Sequence, residues 1–180
     1  MGRGLSTLSY IWFTLATAIV SIDLTYVLTR PSFEGVKTPE HPLARTFPFD
    51  QWVYYSTFDK RYAPNDDTFV IVQSWCNLFE CLLQLTAVVA SLSGLYKFAH
   101  KTALVVCVMV AYKTVMYGMM EHFDNSKYTK HNPTGTLVQM VIIPSSFWII
   151  FPVYVGWQSW QRLTIEPPAV RSIPPVKKGQ

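Results

Sequence analysis

The sequence predicts an all-α, polytopic membrane protein in which four transmembrane helices form a bundle around a lipid-binding cavity. Three observations lead to this fold class. Half of the 180 residues are apolar and only 14% are charged, whereas a typical soluble domain has roughly 25% charged residues. Four apolar runs each reach the ~20 residues that a helix needs to cross the hydrocarbon core. One of these runs also carries a stripe of polar side chains, which predicts an interior cavity.

The four apolar runs define the predicted helices and the domain. The spans are expected at about 5–28, 68–94, 102–121 and 136–160, within one membrane domain of residues 1–162. A soluble helical bundle is the weaker alternative, because four such runs are hard to bury in so small a core. The first run is too long for the apolar region of a signal peptide and contains Asp23, so it is kept as a span. A loop over 30–67 joins the first two spans, and a Pro-rich tail follows over 163–180.

The end of the chain predicts the orientation. Lys177 and Lys178 stand fourth and third from the terminus, which is similar to the dilysine retrieval signal that is read from the cytosol. A chance occurrence of so short a pattern is the alternative. Lys and Arg are equally frequent on the two predicted sides, so the positive-inside rule does not decide. The retrieval pattern therefore predicts an endoplasmic reticulum membrane protein with both termini cytosolic and the 30–67 loop luminal.

The polar stripe lies in the second span. Gln73, Asn77, Glu80 and Gln84 fall within about 60° of one another at 100° per residue. A carboxylate in the middle of a membrane costs several kcal/mol, so the stripe is expected to face the bundle interior. Interhelical hydrogen bonding, worth about 0.6 kcal/mol per bond, is the alternative role. Four polar residues in register, one of them an acid, favour a pocket with a polar wall.

Polar residues of the first and third spans are expected to face the same interior. Asp23 lies near the end of the first span. Lys113, Tyr117 and Glu121 are spaced i, i+4 and i+8 in the third, so they share one helix face. Lys113 is expected to form an ion pair with an acid of a neighbouring helix.

The loop before the second span contains the motif Trp52-x-x-Tyr55-x-x-x-Asp59-x-Arg61-Tyr62. This motif resembles the W-x-x-Y-x-x-x-D-x-R-Y stretch of the EXPERA family, which includes the emopamil-binding proteins (sterol Δ8–Δ7 isomerases) and the sigma-2-type receptor. The third span, "YKTVMYGMMEH", is similar to the family's Y-x-x-x-x-Y-x-x-x-E-H, and Trp148-x-x-x-Pro152 is similar to its W-x-x-x-P. The resemblance covers about residues 11–162. It implies four helices around a cavity for a flat polycyclic lipid.

The sequence differs from the isomerases that it resembles at positions that transfer protons in those enzymes. Asp23 stands where the family has a glutamate, and Ile19 stands where it has a histidine. Gln73 replaces the proton-shuttling glutamate of the next helix, and Ser145 replaces a substrate-binding asparagine. Two proton-carrying groups are therefore missing, although Glu80 lies two turns from Gln73 on the same stripe.

The residues nevertheless suggest a proton-initiated reaction. An acid in a dry cavity can stay protonated near neutral pH and can protonate an alkene or epoxide. The indole of Trp148, in the middle of the fourth span, either packs there or stabilises the carbocation through its π-face. The candidate catalytic residues are Asp23, Glu80 and Glu121. The candidate substrate-binding residues are Gln73, Asn77, Gln84, Tyr117, Ser145 and Trp148, with Asp59 and Arg61 as a luminal cap.

Two functions remain open from the sequence. The first is an isomerase or cyclase that acts on a sterol-like or terpenoid lipid, and the alternative is a non-catalytic lipid-binding or transport protein of the sigma-2-receptor type. The sequence contains no metal-ligand cluster, Gly-rich phosphate loop or nucleophile elbow, so no cofactor and no metal are predicted. No basic stripe indicates nucleic acid. The expected partners are membrane lipids and a hydrophobic polycyclic small molecule, and a homodimer is one option for the oligomeric state.

Overall fold

The computed structural model describes residues 4–31, 41–64 and 67–164. Within these residues the chain is helical and contains no β-strand. The helices in chain order are α1 (Thr7–Thr29), α2 (Phe49–Tyr55), α3 (Thr68–Leu92), α4 (Tyr96–Phe123), α5 (Thr134–Leu137) and α6 (Ile143–Thr164). Four helices are long and apolar enough to cross a membrane. They are α1, α3, α4 and the continuous helical segment Thr134–Thr164, which includes α5 and α6. The predicted all-α class with four candidate membrane-spanning helices is confirmed.

The predicted bounds differ most at the start of α4. This helix begins at Tyr96 rather than at 102, because Lys97 and Lys101 end an apolar run without ending a helix. The preceding helix stops at Gly94, whose φ of 79° is unfavourable for other residues. The N–H of Leu95 donates to the carbonyl of Ala90 at 2.9 Å, which is the six-to-one bond of a Schellman ending. The turn between α3 and α4 is therefore short and well defined.

Two helical features were not predicted. Helix α2 lies within the expected 30–67 loop, where no apolar run of membrane length indicated it. A π-helical turn, Val138–Ile142, joins α5 to α6 directly before Pro144. Proline removes one backbone donor and crowds the preceding turn, and a widened turn accommodates that loss.

Some predicted features lie wholly or partly outside the described residues. The tail was expected to begin at 163, but α6 continues to Thr164. The remaining tail residues, 165–180, include Lys177 and Lys178 and are outside the described ranges. The same holds for 32–40 and for 65–66 in the long loop.

The four long helices are arranged in the order α1, α3, α4 and α6, each packed on the next. Helices α1 and α6 meet near the N-terminal end of α1. There Trp12 stacks on Phe151 with ring centroids 4.9 Å apart and meets Trp148 edge-on at 5.3 Å. The hydroxyl of Ser6 also donates to Oε1 of Gln158 at 2.8 Å. These contacts close one end of the bundle.

Two apolar clusters form the core, one near each end of the bundle. The larger cluster contains many small residues, among them Ala87, Ala90 and Ala103, which allow helix backbones to approach closely. At Gly156, an added Cβ would lie 3.2 Å from the Cβ of Cys107, so this glycine permits the close packing of α6 on α4. The smaller cluster contains Tyr26, Val27 and Val70.

Candidate functional site

A cavity of about 320 Å³ lies between the two apolar clusters. Its volume is at the lower end of the range found for small-molecule sites. Each of the four long helices contributes to its wall, and α2 with the loop after it covers one side. The lining residues are Ile19, Val20, Asp23, Gln51, Trp52, Tyr55, Tyr62, Gln73, Asn77, Glu80, Gln84, Val110, Lys113, Thr114, Tyr117, Pro144, Ser145 and Trp148.

The polar stripe of α3 forms one wall of this cavity. Asn77, Glu80 and Gln84 are buried, with exposures of 5%, 3% and 2%. On the opposite face of the helix, Trp75 and Phe79 are more than half exposed. The period of the helix therefore directs the polar residues inward and the large apolar residues toward the expected lipid, as the sequence predicts.

Lys113 connects α4 to this stripe. Its ammonium donates to Oε2 of Glu80 at 2.5 Å and also to Oδ1 of Asn77. The expected ion pair with an acid of a neighbouring helix is thus present, and the acid is Glu80. A buried carboxylate and a buried ammonium compensate each other's loss of hydration, so the pair allows both charges to lie at membrane depth.

Asp23 belongs to the same hydrogen-bond chain but has different partners. The indole Nε1 of Trp52 donates to Oδ1 of Asp23 at 2.8 Å, and the amide of Asn77 donates to Oδ2 at 3.4 Å. The chain therefore runs from Trp52 through Asp23 and Asn77 to Lys113 and Glu80. It links α1, α2, α3 and α4 around one side of the cavity.

The remaining cavity wall is mostly apolar. Ile19, Val20, Val110 and Trp148 lie there, and Trp148 is held by its edge contact with Trp12. Gln84, at the far end of the stripe, is fixed because Thr17 donates to its Oε1 at 2.9 Å. A ligand in the cavity would therefore contact one polar face and one apolar face.

A second polar cluster, centred on Arg61, lies behind the cavity wall. The Arg61 side chain is 2% exposed. Its guanidinium lies 4.5 Å from the ring centroid of Tyr128 and 5.2 Å from that of Tyr117. It also contacts Oε2 of Glu121 at 3.2 Å and Oδ2 of Asp67 at 3.4 Å. These contacts fix the loop after α2 onto the ends of α3 and α4.

Asp59 joins this cluster to the cavity. Its Oδ2 accepts the hydroxyl of the cavity-lining Tyr117 at 2.5 Å, and its Oδ1 accepts the backbone N–H of Arg61 at 3.1 Å. Burial raises the pKa of Asp59 despite these hydrogen bonds. Asp59 therefore orients a residue of the wall, while its own side chain is outside the set of lining residues.

Glu121 anchors a loop. Its Oε1 accepts the backbone N–H groups of Tyr128 and Thr129 at 3.1 and 3.0 Å and the hydroxyl of Thr129 at 2.8 Å. Its other oxygen faces Arg61. Glu121 is a predicted catalytic residue, but it lies outside the cavity lining, and its carboxylate contacts Arg61 and the loop after α4.

The structure thus brings most of the predicted site residues together. Asp23, Gln73, Asn77, Glu80, Gln84, Tyr117, Ser145 and Trp148 line the cavity. Asp59, Arg61 and Glu121 lie behind it, so the predicted luminal cap is a buried support for the wall.

Several residues of this region are not among the predicted site residues. Lys113 and Trp52 directly contact the two cavity acids. An intramembrane charge is a functional signal by itself, and that signal could have identified Lys113. Arg30 donates to the carbonyls of Arg61, Ala63 and Asp67 at 2.5, 3.0 and 3.2 Å, and burial lowers its pKa. No local sequence pattern indicated that Arg30 would stabilise the loop through these hydrogen bonds.

Comparisons with known proteins give no match to a protein-family model, to a curated protein or to a solved structure. Among the described residues, no group of three His, Cys, Asp or Glu side chains is arranged to hold a metal ion. The function is therefore argued from the chemistry of the cavity and from the sequence motifs.

Proposed function

We propose that this protein is a membrane-embedded, cofactor-free isomerase or cyclase that acts on a sterol-like or terpenoid lipid through proton-initiated carbocation chemistry. One observation carries the proposal. An interior cavity among four apolar helices has Asp23 in a hydrogen-bond chain on one side and Trp148 in an apolar wall on the other. An apolar ligand held there would meet one acid that can supply a proton and one aromatic face that can stabilise a cation.

The partners of the two acids support Asp23 as the proton donor. Glu80 is engaged by the ammonium of Lys113 at 2.5 Å, and this pair carries no net charge. Asp23 is then the remaining acid of the lining, and a neutral carboxylic acid is favoured there because an uncompensated charge is costly at membrane depth. The Trp52 and Asn77 hydrogen bonds orient its carboxyl group.

The proposed reaction conserves atoms and charge. Asp23 transfers its proton to one carbon of a substrate alkene, or to an epoxide oxygen, and becomes a carboxylate beside the new carbocation. In an isomerase, the carboxylate removes a proton from a neighbouring carbon, so the double bond moves and the acid is regenerated. In a cyclase, an internal alkene first attacks the cation, and the Asp23 carboxylate then takes a proton from the cyclised cation, which regenerates the acid. Trp148 stabilises the cation through its π-face, and the apolar wall excludes water that would otherwise trap it.

The motif resemblance supports the same class of ligand. We place the chain with the EXPERA family on its loop motif and on the residues of its third and fourth spans, Tyr117, Glu121 and Trp148 among them. The Lys177–Lys178 pattern supports residence in the endoplasmic reticulum membrane with both termini in the cytosol. Helix α2 and the described residues after it would then cover the cavity from the luminal side.

A non-catalytic lipid-binding protein is the second candidate. The observation that favours it is the loss of proton carriers at Ile19 and Gln73, together with the engagement of Glu80 by Lys113. These changes leave one acid for proton transfer. A binding protein needs the shape and polarity of the cavity but needs no mobile proton.

Mass spectrometry of the bound lipid tests the proposal. Protein purified in mild detergent should release a polycyclic or polyprenyl lipid on extraction. When this lipid is returned to the protein in heavy water, the product should be isomeric with it and should carry deuterium at the newly protonated carbon, except after epoxide opening, where deuterium enters at oxygen and exchanges. An isomeric product should form in that case too. If the lipid returns unchanged, the binding protein is favoured, and if no such lipid co-purifies or binds, both candidates are contradicted.

A further inference from the structure

We propose that Lys113 makes the cavity selective for neutral lipids that carry a hydroxyl or carbonyl oxygen, and that it excludes lipids with an ammonium group. This inference rests on the proposed function, because it names the class of ligand that the same cavity accepts. It is carried by the hydrogen-bonding capacity left open in the cavity and by the charges around it.

One polar group of the cavity has capacity for a ligand. The ammonium of Lys113 has three N–H donors, and its acceptors within the described chain are Asn77 and Glu80. The third donor is available to a ligand, because Lys113 lines the cavity.

A hydroxyl group and a carbonyl oxygen can each accept a hydrogen bond from Lys113. A plain hydrocarbon leaves the third donor of Lys113 without a partner, and a buried donor without a partner is unfavourable. The polar end of the cavity should therefore discriminate strongly against hydrocarbons that lack oxygen.

The charge arrangement argues against ionic ligands. Asp23 and Glu80 both line the cavity, and two carboxyl groups would ordinarily attract an ammonium ligand. Lys113 already occupies that role at Glu80, with its nitrogen 2.5 Å from the carboxylate, and it would repel an ammonium group placed beside it. An anionic ligand would face the carboxylate of Glu80. A neutral oxygen-containing group is the chemical group that is compatible with Asp23, Glu80 and Lys113.

Binding of four ring-matched probes tests this inference. Tritiated androstane, androstanol, androstanone and aminoandrostane are measured on the full chain in nanodiscs. Wild-type protein should bind the alcohol and the ketone about tenfold or more tightly than the hydrocarbon and the amine. Trp148→Ala should weaken the binding of all four, which assigns the signal to the cavity.

Two variants isolate the contribution of Lys113. Lys113→Met should lose the preference for oxygen, but it leaves Glu80 without its cation and can fail to fold. The double variant Glu80→Gln with Lys113→Met removes both charges together. It therefore tests the role of Lys113 whether or not the single variant folds. In it, affinity for the alcohol and ketone should fall about tenfold, and affinity for the amine should rise because Asp23 remains.

The outcomes separate this inference from the proposed function. Equal binding of the four probes to wild type, or an unchanged oxygen preference in the double variant, overturns the role of Lys113 and leaves the lipid cavity intact. If none of the four probes binds to wild type, the lipid-binding cavity itself is contradicted, and the inference falls with it.

Discussion

At the scale of single residues, the two acids of the cavity are distinguished by their partners. Glu80 receives an ammonium donor, whereas Asp23 receives an indole and an amide. Neutral donors orient a carboxyl group without adding a positive charge next to it. In the proposed reaction, Asp23 is therefore the expected proton donor, because the ion pair of Glu80 would have to break first.

This difference predicts separate effects of the two amide variants. Asp23→Asn should lower turnover by about 10²–10⁴-fold, the usual loss when a general acid is removed. Ligand affinity should change little, because the amide keeps the shape and its oxygen can still accept the hydrogen bond from Trp52. Turnover per folded molecule is the measurement, with Asp124→Asn as the control at an exposed acid outside the cavity. Wild-type turnover in Asp23→Asn would contradict proton donation by Asp23.

Glu80→Gln should act mainly on stability. It leaves the ammonium of Lys113 without a counter-charge at a site with little solvent, and breaking a buried ion pair costs about 3–5 kcal/mol. Thermal unfolding in detergent should therefore occur at a much lower temperature than in wild type, and more so than for Asp23→Asn. An unfolding temperature equal to that of wild type would show that the pair contributes no net stability.

At the scale of the helices, α3 and α4 have different tasks. Helix α3 has a polar face toward the cavity and an apolar face on the outside. Helix α4 supplies Lys113 and Tyr117 to the cavity and then ends at Phe123, where Glu121 binds the following loop. Arg61 connects these two regions, because it contacts both Tyr117 and Glu121.

The loop anchor at the end of α4 predicts a structural phenotype. Glu121→Gln removes the charge that faces Arg61 and weakens the bonds to Tyr128 and Thr129. The free energy of unfolding should fall by about 1.5–3 kcal/mol, the worth of hydrogen bonds to a charged group. Turnover per folded molecule should fall much less than for Asp23→Asn. If Glu121→Gln unfolds like wild type but loses turnover as Asp23→Asn does, Glu121 has a direct role in the reaction.

At the scale of the whole molecule, the cavity exists because the bundle is packed tightly at both ends and more loosely between them. Small residues, Gly156 among them, allow the helices to pack closely at one end. The smaller apolar cluster, together with α2, covers the other end. A π-helical turn and Pro144 lie where α6 borders the cavity, and both change the path of the backbone there. The hydrogen-bonded side chains from Trp52 to Glu80 line the space that results.

The proposed topology can be tested with single cysteines in microsomes. With both termini in the cytosol, the α3–α4 turn is cytosolic and the loop after α4 is luminal. Ser93→Cys should react with a membrane-impermeant maleimide in intact microsomes, whereas Asp124→Cys should react only after permeabilisation. The opposite pattern would invert the orientation, and reaction of both in intact microsomes would contradict a membrane-spanning α4.

The sequence by itself determined the four long helices and the direction of the α3 stripe. Both follow from one-dimensional rules: the length of an apolar run must match the membrane, and helical periodicity places Gln73, Asn77, Glu80 and Gln84 on one side. Because a polar face that contacts lipid is unfavourable, this side faces inward. Such arguments need no knowledge of the neighbouring helices.

Only the tertiary structure decided which groups meet across that interior. Lys113 reaches Glu80, Trp52 reaches Asp23 and Glu121 turns to a loop, although Lys113 and Glu121 share a helix face. Such contacts depend on the rotation, depth and tilt of helices that are far apart in sequence, and a shift of one turn along α4 would give Lys113 other neighbours. The relative placement of the helices therefore distinguishes Asp23, whose carboxyl group accepts from a neutral indole and a neutral amide, from Glu80, which is held in an ion pair.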